Sequence, residues 1–358
     1  MDVETRIKLI QEVGEEVVTV PELKELLESG KKLIAYDGFE PSGNIHIAQG
    51  IMRAININKM TKAGVKFKML VADWHAQANN KMGGDLERIQ TVGKYFIEVW
   101  RVSGMDLDKV EFVWANDVVA DRDYWKLLMR IAMNSTIQRI VRCGTILGRK
   151  ESEMRQASQI LAPLMQCTDI FYLKSDITQL GMDQRKVNIL AREIGPSLGF
   201  WKPVVVSHHM LAGLQEPKST AKTVEDRVLD LKMSKSKPDT AIFMTDTEED
   251  IKRKINKAYC PPKQIKDNPI MEYCQYLVFE RFREINIERD KKHGGDITIA
   301  SYDELCNLYR KGELHPLDLK KAVAFYVNEM IKPAREHFEK NNKAKELLEF
   351  VKKQEITR

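Results

Sequence analysis

Cysteine is scarce and unorganised in this chain. Among 358 residues there are five, Cys143, Cys167, Cys260, Cys274 and Cys306. None forms a CxxC pair, and an odd number cannot all pair within one chain. Neither a disulfide framework nor a thiolate zinc site is expected, and unpaired thiols fit a reducing cytosol. Long apolar runs are also missing: no uncharged stretch approaches the roughly 18 residues of a membrane span. The opening "MDVETRIKLIQEVGEE" has acids among its first residues and no apolar signal core, so it is expected to remain unprocessed. There is no internal repeat and no low-complexity linker. Strong charge of one sign is absent too. A net charge of +5 permits a nucleic-acid partner without requiring one. What is present, 43% hydrophobic and 30% charged residues, is an ordinary soluble balance, enough for one large domain and a smaller one.

The order of elements is readable from pattern. "TVPELKELLESGK" reads as a short helix capped by Thr19, with Pro21 early and Gly30 at its end. "KKLIAYDG" reads as a buried strand, and "NIHIAQGIMRAININKMTKAG" as a helix ending at Gly64. A second strand, "KFKMLVADWH", a helix, "DLERIQTVGKYFIEVWRVSG", and a third strand, "VEFVWAND", follow. Helical segments run from Tyr124 to Tyr172, and "KPVVVSHHM" returns the chain to the sheet. Alternating strands and helices predict an α/β fold, a parallel sheet with helices on both faces. Beyond Glu248 the pattern is mainly helical, with a hairpin expected near "KKHGGDITI". The domain boundary is placed at Thr245 to Glu248, giving domains 1–246 and 247–358.

Two loops carry the chemistry. "YDGFEPSGNIHIAQG", Tyr36 to Gly50, lies where a strand becomes a helix. Ligands of doubly wound sheets bind beyond the carboxyl ends of strands. Gly38 and Gly43 leave the backbone bare, Ser42 and His46 offer donors, and the helix start suits an anion such as phosphate. A turn with a satisfied histidine is the alternative. Far downstream, "LKMSKSKPDT" brings Lys232, Lys235 and Lys237 together with Ser234 and Ser236. Small hydroxyls and lysines can follow a moving phosphate, although a solvated basic loop has the same composition.

Together the two stretches are far more specific. "HIAQ" at His46–Gln49 resembles the HIGH signature, and "KMSKS" at Lys232–Ser236 matches the second signature, of class I aminoacyl-tRNA synthetases. "YDGFEPSG", "VADWHA", "GMDQRKVNILARE", "KAYCPP" and "ELHPLDL" are similar to segments of the eukaryotic and archaeal tyrosyl-tRNA synthetases, in family order. The resemblance implies a Rossmann-type parallel-sheet catalytic domain, a mainly helical anticodon-binding domain, and a homodimer with its interface near residues 115–165. It implies ATP with Mg²⁺ held mainly by phosphates and water, no tightly bound cofactor and no protein metal site. L-tyrosine and tRNA(Tyr) are the implied partners, and no membrane is expected.

The resemblance also assigns roles. His46, Gln49, Lys232 and Lys235 would act on the phosphates. Gly38, Phe39, Ser42, Gly181, Asp183, Met210, Leu211 and Ser234 would complete the ATP site, with Asp183 on the ribose and Met210–Leu211 along adenine. Core packing is the other reading of Met210. Tyr36 and Asp169 would meet the tyrosine hydroxyl. Gln166 and Gln184 would hold its ammonium, and His75 would shape the pocket or simply pack. Gln166 and Asp169 stand three apart on one helical face, in a stripe with Ala162 and Leu173. One departure stands out: the family's tyrosine before proline, a contact of the ammonium, is Ala162 here, in "LAPLMQ". More room or weaker tyrosine binding is expected. Ala48 and Gln49 likewise replace the glycine and second histidine of HIGH, and Gln49 keeps a donor without a positive charge.

For tRNA, Arg142 and Arg185 match positions that read the first acceptor base pair, with an ion pair as the alternative for Arg142. His293 and His315 would stack on an anticodon base, and Asp318 would accept hydrogen bonds from guanine or cap the helix after Pro316. A tryptophanyl relative and a non-catalytic RNA-binding protein of the same fold are the competing readings. The phenol-binding pair Tyr36 and Asp169 disfavours the first, and the intact KMSKS segment disfavours the second.

Overall fold

The computed structural model describes residues 1–148, 156–221, 223–233 and 238–354, without the side chains of Thr145, Glu225, Asp226 and His293. Strands β1 (Gly14–Val18), β2 (Ile34–Phe39), β3 (Lys66–Val71), β4 (Val110–Trp114), β5 (Ile177–Gly181) and β6 (Val204–His208) form a six-stranded sheet among the described residues, ordered β1-β6-β5-β2-β3-β4. β2 to β6 run parallel, as the alternating pattern predicts. The edge strand β1 is antiparallel to β6, so the sheet is mixed. β1 and β5 went unread in the sequence. "GEEVV" hides its pairing behind two acids, and "ITQLG" is only five residues long, though buried throughout.

The helices begin where local chemistry starts them. Thr19 forms a capping box with Glu22 and Pro21 enters the first turn, so Val20–Glu28 starts as expected. Asp85 accepts a hydrogen bond from Arg88 N–H and opens Leu86–Val102. The helix read from Asn44 begins later, with a π-helical turn at Ala48–Met52 that runs into Arg53–Lys62. Such turns re-aim side chains locally and recur at functional sites.

The C-terminal part is mainly helical, with helices 248–257, 269–273, 302–311, 316–340 and 342–352. The expected hairpin is present: β7 (Ile285–Ile287) pairs antiparallel with β8 (Ile297–Ile299). This part packs directly on helix Leu86–Val102. The Tyr95 and Phe338 rings lie 5.3 Å apart, and His337 Nε2 lies 2.9 Å from Glu98 Oε2. Apolar residues of both parts form one continuous buried cluster. Phe39, Phe96 and Trp100 stack beneath the end of β2, where each buried ring adds roughly 1.5–3 kcal/mol. That rigid floor carries the loop above it.

Candidate functional site

The site is built at the carboxyl ends of β2, β5 and β6. Beyond Phe39 the chain turns and runs through His46 into the π-helical turn, and backbone bonds fix its path. Ile47 N–H donates to Ile242 O at 2.8 Å, and Met244 N–H donates to Ile45 O at 3.0 Å. From beneath, the Trp100 indole N–H donates to Gln49 O at 2.8 Å. A Cβ at position 50 would stand 2.5 Å from Met244 Sδ, so a larger residue there would have to displace the buried Met244 side chain. Residues 241–244 follow the KMSKS segment. At the start of that segment Lys232 bridges Ala212, and Gly213 N–H donates to Leu231 O at 2.9 Å. The His46 turn and the start of the KMSKS segment therefore border one cavity of about 880 Å³.

Gly38, Phe39, Ser42, His46, Gln49, Gly181, Asp183, Met210, Leu211 and Lys232 all border this cavity. Lys232 Nζ reaches Asp183 Oδ2 at 2.7 Å. Burial works against the Asp183 charge, but Lys232 outweighs it and holds the carboxyl below its ordinary range. Met210 faces the cavity, and its sulfur occupies the space that a side chain on Gly181 would need. Ser234 and Lys235 lie outside the described residues.

Three groups on this wall were missed. Asp37 is buried, with Oδ2 3.0 Å from Arg53 Nη1, and Arg53 also donates to Gly38 O at 3.3 Å. Burial pushes the Asp37 carboxyl up to about 6, with Arg53 pulling against it. His208 Nδ1 accepts from Gln179 Nε2 at 2.7 Å, and burial together with Arg53 pushes its ring down to about 3, so it is neutral. A charged residue between apolar neighbours in β2 was the available signal: alternation sends Asp37 to the face opposite Tyr36.

On that other face, Tyr36, His75, Ala162, Gln166 and Gln184 border the same cavity. Gln184 Nε2 donates to Ile146 O at 3.2 Å, and Gln166 Nε2 has no hydrogen-bond partner among the described residues. Asp169 is buried, set back from the wall. Its Oδ1 accepts from the Tyr124 hydroxyl at 2.9 Å, and its Oδ2 lies 2.8 Å from His75 Nε2 without hydrogen-bond alignment. Burial disfavours a charged His75, yet Asp169 raises its pKa. Leu173, on the same stripe, packs in the core instead.

Arg142, Arg185, His315 and Asp318 do not border the cavity. Arg185 grips Glu16 through two nitrogens, at 2.6 and 2.9 Å. Arg142 is exposed at the end of helix Ile137–Arg142. His315, not Asp318, caps helix Pro316–Lys340: Leu317 N–H donates to His315 Nδ1 at 3.2 Å. Pro316 starts the helix one residue past His315, which leaves Asp318 inside the first turn. The His293 side chain lies outside the described residues. Among the described residues there is no cluster of three His, Cys, Asp or Glu suited to a metal, and no helix long and apolar enough to cross a membrane.

Residues 28–332 match the family described as tRNA synthetases class I (W and Y). The chain belongs to this family. It is 50% identical to "Tyrosine--tRNA ligase 2, cytoplasmic" of Arabidopsis thaliana, over the whole of this chain and 46% of that protein. It is 49% identical to "Tyrosine--tRNA ligase 1, cytoplasmic" of the same plant, over the whole of this chain and 90% of that one. The chain thus spans about half the length of the first relative and most of the second. The crystal structure of a Pyrococcus horikoshii tyrosyl-tRNA synthetase complexed with L-tyrosine superposes with a TM-score of 0.90 at 40% identity, covering 98% of this chain and 100% of that one. Within the class I synthetases, the chain is of the eukaryotic and archaeal tyrosyl type.

Proposed function

We propose that this class I synthetase is a tyrosine–tRNA ligase. It joins tyrosine and ATP into tyrosyl-adenylate with release of pyrophosphate, then passes the tyrosyl group to the terminal ribose of tRNA(Tyr). The observation that carries the reading is the backbone pairing of residues 45–47 with 242–244. It sets the His46 turn and the Lys232 segment on one cavity, with Asp183 on one side and Tyr36, His75 and Gln166 on the other.

The substrate's own carboxylate attacks the α-phosphorus, so the protein supplies no nucleophile. Its work is positioning and the stabilisation of charge spreading over phosphate oxygens. ATP enters as its magnesium complex. Ribose hydroxyls take Asp183 from Lys232, which frees the ammonium to follow the leaving pyrophosphate together with Lys235. His46 and Gln49 donate to the phosphates. On the other side, Tyr36 and Asp169 meet the phenol and Gln166 and Gln184 the ammonium. Residues 1–246 form the catalytic domain and 247–358 the anticodon domain, where His293, His315 and Asp318 read the anticodon. Arg142 and Arg185 take the acceptor stem, and Arg185 leaves Glu16 to do so. Two copies associate through residues 115–165.

Pyrophosphate exchange with tyrosine, tryptophan and phenylalanine in turn, followed by charging of tRNA, tests the reading. Exchange with tyrosine and charging of tRNA(Tyr) are expected. Exchange with tryptophan alone, or none with any amino acid, overturns it. Lys232→Ala should lower kcat by about a hundredfold or more while leaving the tyrosine KM unchanged.

A further inference from the structure

Specificity for a phenol needs a carboxylate that stands still. Asp169 is 1% exposed and sits on helix Ser158–Tyr172. Of its two oxygens, Oδ2 faces His75 with no aligned hydrogen bond, whereas Oδ1 receives a direct hydrogen bond of 2.9 Å from the Tyr124 hydroxyl. Tyr124 is itself fully buried, and it does not border the cavity. Its ring is wedged edge-on between Trp125 and Tyr172, with centroids 5.8 and 5.4 Å away, so its hydroxyl cannot swing away without repacking. The same hydroxyl lies 3.3 Å from Met165 O, one helical turn before Asp169. Burial and the neighbouring Asp169 charge both push the Tyr124 phenol well above its ordinary range, so it stays protonated and donates.

We infer that Tyr124 is a specificity-determining positioning residue, which fixes the Asp169 carboxylate from the side away from the cavity so that its other oxygen is held for the substrate hydroxyl. This rests on the tyrosine-activating reading and goes beyond it, because the selecting group is set by a residue that does not border the cavity. A carboxylate with one oxygen satisfied has a single preferred orientation. With that donor removed the carboxylate can turn and align its hydrogen bond with His75, whose Nε2 already lies 2.8 Å from Oδ2, and the reward for a substrate hydroxyl falls. Phenylalanine has no hydroxyl to lose, so the effect is selective for tyrosine. The helix that carries Tyr124, Arg122–Met133, has exposed Trp125, Met129 and Met133 on its outer side, so one element links the tyrosine pocket to an apolar surface.

The test is Tyr124→Phe, which removes one oxygen and keeps the ring. Pyrophosphate exchange is measured with tyrosine and with phenylalanine. The ratio of kcat/KM for tyrosine over phenylalanine should fall by about tenfold to a hundredfold, the usual weight of a hydrogen bond to a charged group. The loss should appear in the tyrosine KM, with kcat nearly unchanged. In an Asp169→Asn background the same substitution should add little, because the two residues act as one unit. A role confined to packing lowers both substrates equally, and an unchanged ratio overturns the inference. Wild-type protein that exchanges no tyrosine overturns the underlying reading instead. Should Tyr124→Phe not yield folded protein, Tyr124→His, which retains a ring N–H, must discriminate better than Tyr124→Leu; equal discrimination by the two also overturns the inference.

Discussion

A methyl group at Ala162 faces the cavity between Gln159, one turn before it, and Gln166, one turn after. Gln166 carries an amide nitrogen with no partner among the described residues. A buried donor left unsatisfied costs about 1–3 kcal/mol, so this wall is expected to hold ordered water until an amino acid arrives. On the proposed function, the methyl group at 162 would leave the substrate ammonium with amides and water. Ala162→Tyr should lower the tyrosine KM by about tenfold, the worth of one hydrogen bond to a charged group. Steady-state pyrophosphate exchange checks this, and no gain counts against an ammonium site at that wall. The stripe Ala162, Gln166, Asp169 was legible as helical spacing, whereas Gln159 went unread. That Asp169 is set back from the cavity wall and bonded to Tyr124 was not legible, since Tyr124 comes from a distant helix and no local pattern links the two.

The segment His208 to Ala212 shows how an element is held rather than merely placed. His208 is neutral and bonded to Gln179, while its neighbour His209 is clasped by Glu15 at 3.2 Å and Glu272 at 3.0 Å and stacks on Tyr276 at 4.3 Å. Glu272 also accepts from Ala212 N–H at 3.0 Å. Strand β1, the segment His208 to Ala212 and helix Pro269–Tyr273 thus meet at one ring. Burial disfavours its charge, but Glu15 and Glu272 overcome this and raise the His209 pKa from 6.5 to about 9. The sign follows directly. A pKa raised by folding adds stability that is fully present below about pH 6.5 and disappears as pH rises through about 9. Melting temperature should therefore decline between those values, and His209→Gln should flatten that part of the profile. The other charged or titratable groups facing the ring are Tyr276 and His208. The first has its pKa raised to about 12 and the second stays neutral, so neither titrates in this window. An identical slope in the variant would remove His209 as its source.

At the scale of the molecule, Trp125, Met129, Met133, Ile137 and Leu161 are exposed, with Met133 at 82% and Ile137 at 73%. Residues 125, 129 and 133 recur every fourth position on one helix and so form a continuous stripe. An apolar stripe of this kind marks an association surface, and it falls inside the segment expected to join two copies. If two copies associate here, the wild-type chain should sediment as a dimer and the double variant Met129→Glu with Met133→Glu as a monomer; a dimeric variant removes this stripe from the interface. The amino-acid sequence determined a great deal by itself. The parallel α/β order, the helical C-terminal part, the glycine- and lysine-marked loops and the spacing of helix Ser158–Tyr172 all follow from local periodicity, capping and residue chemistry, which neighbours in sequence decide. What tertiary structure alone decided are the contacts between segments far apart in the chain. These are β1 returning antiparallel beside β6, residues 242–244 closing on 45–47, Lys232 seated on Asp183, Arg53 under Asp37, and Tyr124 behind Asp169. Each depends on how buried charges and backbone groups find partners once the core has closed, and a carboxylate in sequence carries no mark of which distant donor will satisfy it.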